Sequence, residues 1–364
     1  MQSPTKIRFT GTSPFQATLR ARVAKALEEA GREPSGGFRL AFKCLTVFAF
    51  TAFCYAGLVF YARGPIEATL LALGLSQGIV MIGFCVMHDA GHGAMSKRRW
   101  VNAVFARSLD LIGGNQTLWQ RKHNVLHHTY TNIECLDDDL ESGGLLRMHP
   151  SQPWRRLHTY QLWYFMLLYS LLAIHWVVSD FSEYFGRRVG RHVLPEPPPG
   201  DTLIFWAGKL IWFGLAIVLP ALYHPLWLVV LVLLGTYMVV GLCMGVVFQM
   251  AHVLEPAAFV VPEADGTVAD AWAIHQVQTT VNFATANPLV TWYAGGLNHQ
   301  VEHHLFTKVS HVHYGFIRPI VKATCEELGV QYHEHRTVRE AFGAHVQHLS
   351  RMAQEPKDPA AIPT

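Results

Sequence analysis

Apolar runs divide this chain into long hydrophobic stretches separated by polar ones. The first covers about residues 40–62, and Arg63-Gly64-Pro65 breaks it before a second run, 66–87, returns. A third covers 161–179, and two more, 203–222 and 226–250, are joined at Tyr223-His224-Pro225. Each approaches or exceeds the roughly 20 residues that carry a helix across a bilayer. The pattern predicts an all-α integral membrane protein whose polar segments form a helical cap. Ahead of the first run, residues 15–27 have apolar positions at helical spacing with basic ones opposite, which fits a helix on a membrane surface or an ordinary solvated one. No secretory signal is visible, because the first apolar run starts near Leu40 with no small-residue cleavage motif before it. Residues 186–200 are basic and then proline-rich, so they form a loop; 287–297 suit a loop or short helix; Phe316 to Leu328 reads as a soluble amphipathic helix and the chain from Ala353 as a free end. The implied division is a polar N-terminal segment (1–36), a membrane domain (37–335) and a C-terminal tail (336–364).

Composition agrees. Of 364 residues, 51% are hydrophobic and only 15% charged, against about 25% charged in ordinary globular chains. The net charge of +3 is small, and cations gather at Lys97-Arg98-Arg99, Arg121-Lys122, Arg155-Arg156 and Arg187-Arg188. Such clusters suit the cytoplasmic ends of spans better than nucleic acid, which is excluded as a partner. The turn at Tyr223-His224-Pro225 carries no formal charge, as an external turn should, and Lys209 is expected to snorkel from the cytoplasmic end of its span. The six cysteines show no CxxC pairing and predict neither disulfides nor a thiolate metal site.

Histidine departs furthest from expectation. Of 21, eight fall in three clusters: His88 and His92; His123, His127 and His128; His299, His303 and His304. On a helix, residues four apart share a face and can hold one ion. In the third cluster His299 and Gln300 compete for the first position; spacing leaves both open, and ligand strength favours His299. So many imidazoles exceed one tetrahedral zinc site and suit two ions with open positions. Asp89 and Glu302 are then expected to hold imidazole tautomers.

A shared site requires an even number of crossings between the second and third clusters, yet three apolar runs separate them. The shortest, 161–179, with Arg155, Arg156 and His158 at its start, is expected to lie in the interface or re-enter. That leaves four transmembrane helices, with both termini and every cluster on the cytoplasmic face.

The motifs His88-Asp-Ala-Gly-His92, His123-Asn-Val-Leu-His127-His128 and Gln300-Val-Glu-His303-His304-Leu-Phe resemble the three histidine boxes of the membrane fatty acid desaturases. The resemblance covers about residues 40–335. It implies a non-haem centre of two Fe ions that uses O₂ and two electrons to place a cis double bond in a fatty acyl substrate, lipid- or CoA-linked. A glutamine opening the third box further implies front-end regioselectivity. No His-Pro-Gly-Gly motif of a fused cytochrome b5 is present, so a separate electron donor of ferredoxin or cytochrome b5 type is expected. Thr307 stands where the family usually has proline. The resemblance adds His252, at the end of the last run, to a ligand set of His88, His92, His123, His127, His128, His303 and His304, and places Gln300 at the start of the third box. His299 and His275 remain near-site candidates, and Trp119, Trp163 and Trp292 candidate walls of an acyl tunnel. Two rivals are a related hydroxylase, acetylenase or epoxygenase on the same scaffold, and a histidine-rich metal transporter. A transporter predicts ionisable residues along a path through the spans, whereas here Lys43, Glu67 and Lys209 lie toward span ends.

Overall fold

A computed structural model describes residues 7–190 and 192–356. The elements that position the site are helices α1 (Phe15–Glu29), α2 (Gly37–Tyr61), α3 (Pro65–Gly91), α4 (Arg99–Ala106), α5 (Gln161–Gly186), α6 (Asp201–Ala221), α7 (Leu226–His252), α8 (Trp272–Gln278), α9 (Gln300–Leu305), α10 (Tyr314–Glu327) and α11 (Val338–Met352). A further helical stretch, residues 116–130, carries the second histidine cluster. Among the described residues, strands form three two-residue pairs; Arg8–Phe9 with Thr267–Val268 and Asn282–Phe283 with Glu334–His335 are parallel, Arg188–Val189 with His192–Val193 antiparallel.

Among the described residues, five helices are long and apolar enough to cross a membrane: α2, α3, the run Arg156–Gly186 that includes α5, α6 and α7. The hydropathic core of α3 is 61% covered by protein, while those of the other four are covered by 28% or less. Helix α3 is therefore the centre of the bundle, and it delivers the first histidine cluster from that position. Helix α5 runs past the 161–179 expected from hydropathy and crosses α7 closely. There Gly241-Leu-Cys-Met-Gly245 forms a Gly-x-x-x-Gly surface, and a Cβ at Gly241 would stand 2.5 Å from the Ser170 carbonyl oxygen. Both ends of α5 bond to polar segments. At its start Gln161 accepts from Arg147 N (2.9 Å) and donates to Leu349 O (2.7 Å); at its end Glu183 meets Lys122 at 2.7 Å.

Three expectations change. The apolar face of α1 does not meet a membrane surface: Phe15, Leu19, Val23 and Leu27 are buried with Ile317 and Val321 of α10 and Val277 of α8. Lys209 does not snorkel; it is 5% exposed and its Nζ donates to Asp180 (2.6 Å) and Gly113 O (2.7 Å), because a buried ammonium demands a carboxylate. The C-terminal segment from 336 is helical from Val338 to Met352. Helix α11 buries Ala341, His345 and Leu349, and His345 bonds Tyr169 of α5 at 2.9 Å. The expected free end from Ala353 is described only to residue 356, and Trp154 Nε1 donates to Ala353 O at 3.0 Å. Trp163 is 89% exposed on α5 and walls no tunnel. Within the bundle, a cavity of about 650 Å³ lies between α2, α3, α6 and α7, lined by apolar groups including Phe48, Ile79, Ile82 and Leu233; no residue of the histidine clusters lines it.

Candidate metal centre

The first cluster leaves α3 through a π-helical segment, Ile82–Met87, directly before His88. The second lies largely inside another, Gln120–His127. A π turn closes at five residues rather than four, and such turns recur at functional sites. Here it brings His123 and His128, five apart, to an Nε2–Nε2 distance of 3.2 Å. Simple α spacing would have paired His123 with His127 alone; here its ring also stays 5.4 Å from that of His127. The third cluster lies on α9, with His299 at the residue before its first turn.

The three clusters and His252 converge. The ring nitrogens of His88, His92, His123 and His303 lie within 4.8 Å of one another, as do those of His127, His252 and His304. His128 groups with His303 and His304 and so stands between the two sets. His88 Nε2 is 3.1 Å from His123 Nε2, and the rings of His128 and His304 are 4.3 Å apart. All eight are buried except His123, which is partly open to solvent. The Nε2 atoms of His92, His303 and His304 are buried with no hydrogen-bond partner among the described residues. A buried imidazole nitrogen without a partner costs free energy, so their convergence calls for a shared ligand.

The opposite edge of several rings is held. His127 Nδ1 donates to the Asp137 carboxylate at 3.1 Å, and Asp137 also accepts from Asn132 N at 2.9 Å. His252 Nδ1 donates to Thr279 O at 3.2 Å, and His304 Nδ1 to Gln276 Oε1 at 2.7 Å. His303 Nδ1 is 3.2 Å from the Tyr314 hydroxyl. Fixing Nδ1–H turns Nε2 inward as the free donor atom, as in metal-binding histidines generally. Trp119 stacks on His123 with ring centres 4.7 Å apart and packs edge-on to His88 and His92. The absence of a side chain at Gly91 permits this, since a Cβ there would come within 2.3 Å of the Trp119 ring.

Burial and mutual repulsion hold His92, His123, His128, His303 and His304 well below the usual imidazole pKa, so they are neutral and ready to ligate at pH 7. His127 is the opposite case. Burial pulls it down, but the carboxylates of Asp137 and Asp139 outweigh that and raise it to about 9.

The structure separates the near-site candidates. Gln300, not His299, turns toward the cage: its side chain lies against His252, while its Oε1 is buried without a partner. His299 points away, 3.4 Å from Thr291 Oγ1 and 3.7 Å from Glu302. His275 is fully buried against Phe9, outside the cage, and burial lowers it to about 4. Neither expected carboxylate holds a cage imidazole. Asp89 accepts from Ser310 Oγ (2.5 Å) and lies 3.0 Å from His311 Nδ1, because α3 turns its face toward the 310–311 loop. Glu302 accepts from Asn282 (2.7 Å) and Tyr332 (2.9 Å) on the far side of α9. The carboxylates that do serve are Asp137 and Asp139, the latter 3.3 Å from His127 Nδ1. Their only sequence signal was the acidic run following the second cluster, and Gln276, beside His275, had none.

Apolar helices ending in a buried cage of eight imidazoles define a membrane protein built around histidine-rich metal chemistry. The Fatty acid desaturase family model matches residues 66–336. The chain is 37% identical to an sn-1 linoleoyl-lipid 6-desaturase of Arthrospira platensis, over 98% of this chain and 97% of that protein. It is 33% identical to the protein of the same name from a Synechocystis strain (97% and 99% covered) and 34% identical to an acyl-lipid (8-3)-desaturase of Physcomitrium patens (80% and 62%). The chain therefore belongs to the fatty acid desaturase family and is an oxidoreductase of acyl chains.

Proposed function

We propose that the protein is a front-end acyl-lipid desaturase with a di-iron centre facing the cytoplasm. The observation that carries this reading is the convergence of eight imidazoles into two groups joined by His128. Three orphaned inward nitrogens, and Nε2–Nε2 contacts of 3.1 and 3.2 Å, fit a pair of cations and suit an empty polar pocket poorly. His88, His92, His123 and His303 would hold one ion, His127, His252 and His304 the other, with His128 reaching either. Borderline nitrogen ligands suit iron. Bound iron supplies the O₂ chemistry that withdraws hydrogen from an unactivated carbon.

The balanced reaction takes two hydrogens from adjacent CH₂ groups, O₂, two electrons and two protons, and yields a double bond and two waters. The chain's own groups prepare it. Gln276, Thr279 and Asp137 fix ring orientation, Tyr314 faces His303, and Trp119 covers one face of His123. Gln300 presents a free amide oxygen beside His252. Acyl-lipid substrate and front-end position are supported by the names of the relatives, 6-desaturase and (8-3)-desaturase, and by Gln300 at the third box.

Four crossings, by α2, α3, α6 and α7, are the topology we favour, with α5 in the interface. The polar contacts at both ends of α5, to Arg147 and Leu349 and to Lys122, support its ending on the side where it began. The test is expression in a host without desaturases, followed by fatty-acid analysis with double-bond location. A new double bond on the carboxyl side of an existing one is expected, absent from a His303→Ala control; persistence of the product in that control overturns the site.

A further inference from the structure

Three distant segments meet on one face of the cap beside His92. Gly36 N donates to Ala94 O at 3.2 Å and Ser310 N to Pro34 O at 2.8 Å, while His313 Nε2 is 3.2 Å from Ser35 O. The face so assembled, residues 32–39, 92–99 and 306–313, carries Arg32, Arg39, Lys97, Arg98, Arg99 and Lys308. Its one acid is Glu33, paired with Lys97 at 2.8 Å. Arg39, Lys97, Arg98, Arg99 and Lys308 are exposed, and Arg32 is half-buried over the Phe316 ring. Lys308 links the basic face to the site: its Nζ donates to the His92 carbonyl oxygen at 2.6 Å, and the ring of His92 points an unpartnered Nε2 into the cage.

We propose that this basic face docks the electron donor, a small protein with an acidic surface that brings one electron per visit. The inference rests on the desaturase reading, which requires two electrons per turnover. Two visits in succession supply them; each leaves the donor oxidised by one electron and the centre reduced by one, and O₂ is the terminal oxidant. Opposite charge steers the encounter and fixes the seat more than it adds affinity. Lipid phosphate is the other source of negative charge at this level. Lys308 favours a protein carrier, because a partner seated on it lies one residue from an iron ligand; electron transfer needs that proximity and headgroup binding does not.

The test uses the full chain in phosphatidylcholine nanodiscs. Binding of two oxidised acidic carriers, a plant-type [2Fe–2S] ferredoxin and the haem domain of a cytochrome b5, is titrated over a series of salt concentrations. For at least one carrier, binding is expected to weaken steeply with salt. The Arg98→Glu/Arg99→Glu double variant, and Lys308→Glu separately, should raise its Kd by roughly tenfold or more and flatten the salt slope. Arg98→Lys/Arg99→Lys, which keeps the charge, should retain the original Kd and so separates charge from folding. The proposal is overturned if neither carrier binds the unmodified protein, or if charge reversal leaves Kd and slope unchanged. It is equally overturned if the variants lose only binding to phosphatidylglycerol vesicles, which would make the face a headgroup surface. Failure of the desaturase reading would appear in the fatty-acid analysis and leaves these titrations interpretable.

Discussion

The two imidazole groups of the cage are built differently. In the group of His127, His252 and His304 every ring is buried and every Nδ1 is anchored, by a carboxylate, a backbone carbonyl and an amide oxygen. In the group of His88, His92, His123 and His303 the support is aromatic and neutral. Tyr314 faces His303, Trp119 stacks on His123, and His123 is partly open to solvent. The first arrangement fixes ligands and adds negative charge behind them; the second leaves them room to adjust. One ion should therefore be held tightly and the other more loosely, on the side nearer solvent.

The largest effect should come from the ligands themselves. His304→Ala and His303→Ala each remove one converging donor, and both are expected to abolish the new double bond. Iron analysis should separate them, with His304→Ala losing the tight ion and His303→Ala the weak one. Equal loss of both ions from either variant would break the comparison.

Asp137→Asn comes next. It keeps the shape but removes the nearer of two carboxylates behind His127, the other being Asp139 at 3.3 Å, and such partners are typically worth about 10- to 100-fold in metal affinity. Iron titration should show the loss at the tight ion only.

The groups should also differ in pH dependence. With the His127 pKa raised to about 9 in the metal-free protein, metal must displace a proton there at neutral pH. Affinity at that group should rise with pH, by up to tenfold per unit for one displaced proton, and level off near pH 9. At the other group the imidazoles are already neutral, so affinity should be flat over the same range. The Asp137→Asn/Asp139→Asn double variant should remove the slope, because both carboxylates raise His127, and an unchanged slope would show that His127 is not the group being displaced.

The smallest effect is expected from Tyr314→Phe. A neutral hydrogen bond contributes on the order of 1 kcal/mol, so iron affinity at the looser group should fall only a few-fold. A loss as large as that of Asp137→Asn would mean the two groups are equally braced.

Much of this was legible from sequence. The apolar runs located the five long helices because bilayer thickness sets a minimum length for any spanning helix, and that length is visible in one dimension. The seven box histidines stood out because ligands must be imidazoles and must sit close together in the chain when one helix supplies several. His252 was reached only through family resemblance: a lone histidine ending a span has no local pattern.

Other features existed only once the chain folded. A π-helical turn brought His123 to His128 as well as to His127, since i and i+5 meet only when the helix widens. The start of α9 decided between Gln300 and His299, because a one-residue shift rotates a side chain by about 100° on a helix. Asp89 and Glu302 looked like imidazole partners because they adjoin histidines in sequence, yet neighbours on a helix point in different directions. Asp137 holds His127 across ten positions, and Gln276 holds His304 across 28. Sequence therefore determined which residue types and which apolar lengths the protein has. Tertiary structure decided which nitrogen each imidazole turns inward, because that depends on groups brought to the far side of the ring from elsewhere in the chain.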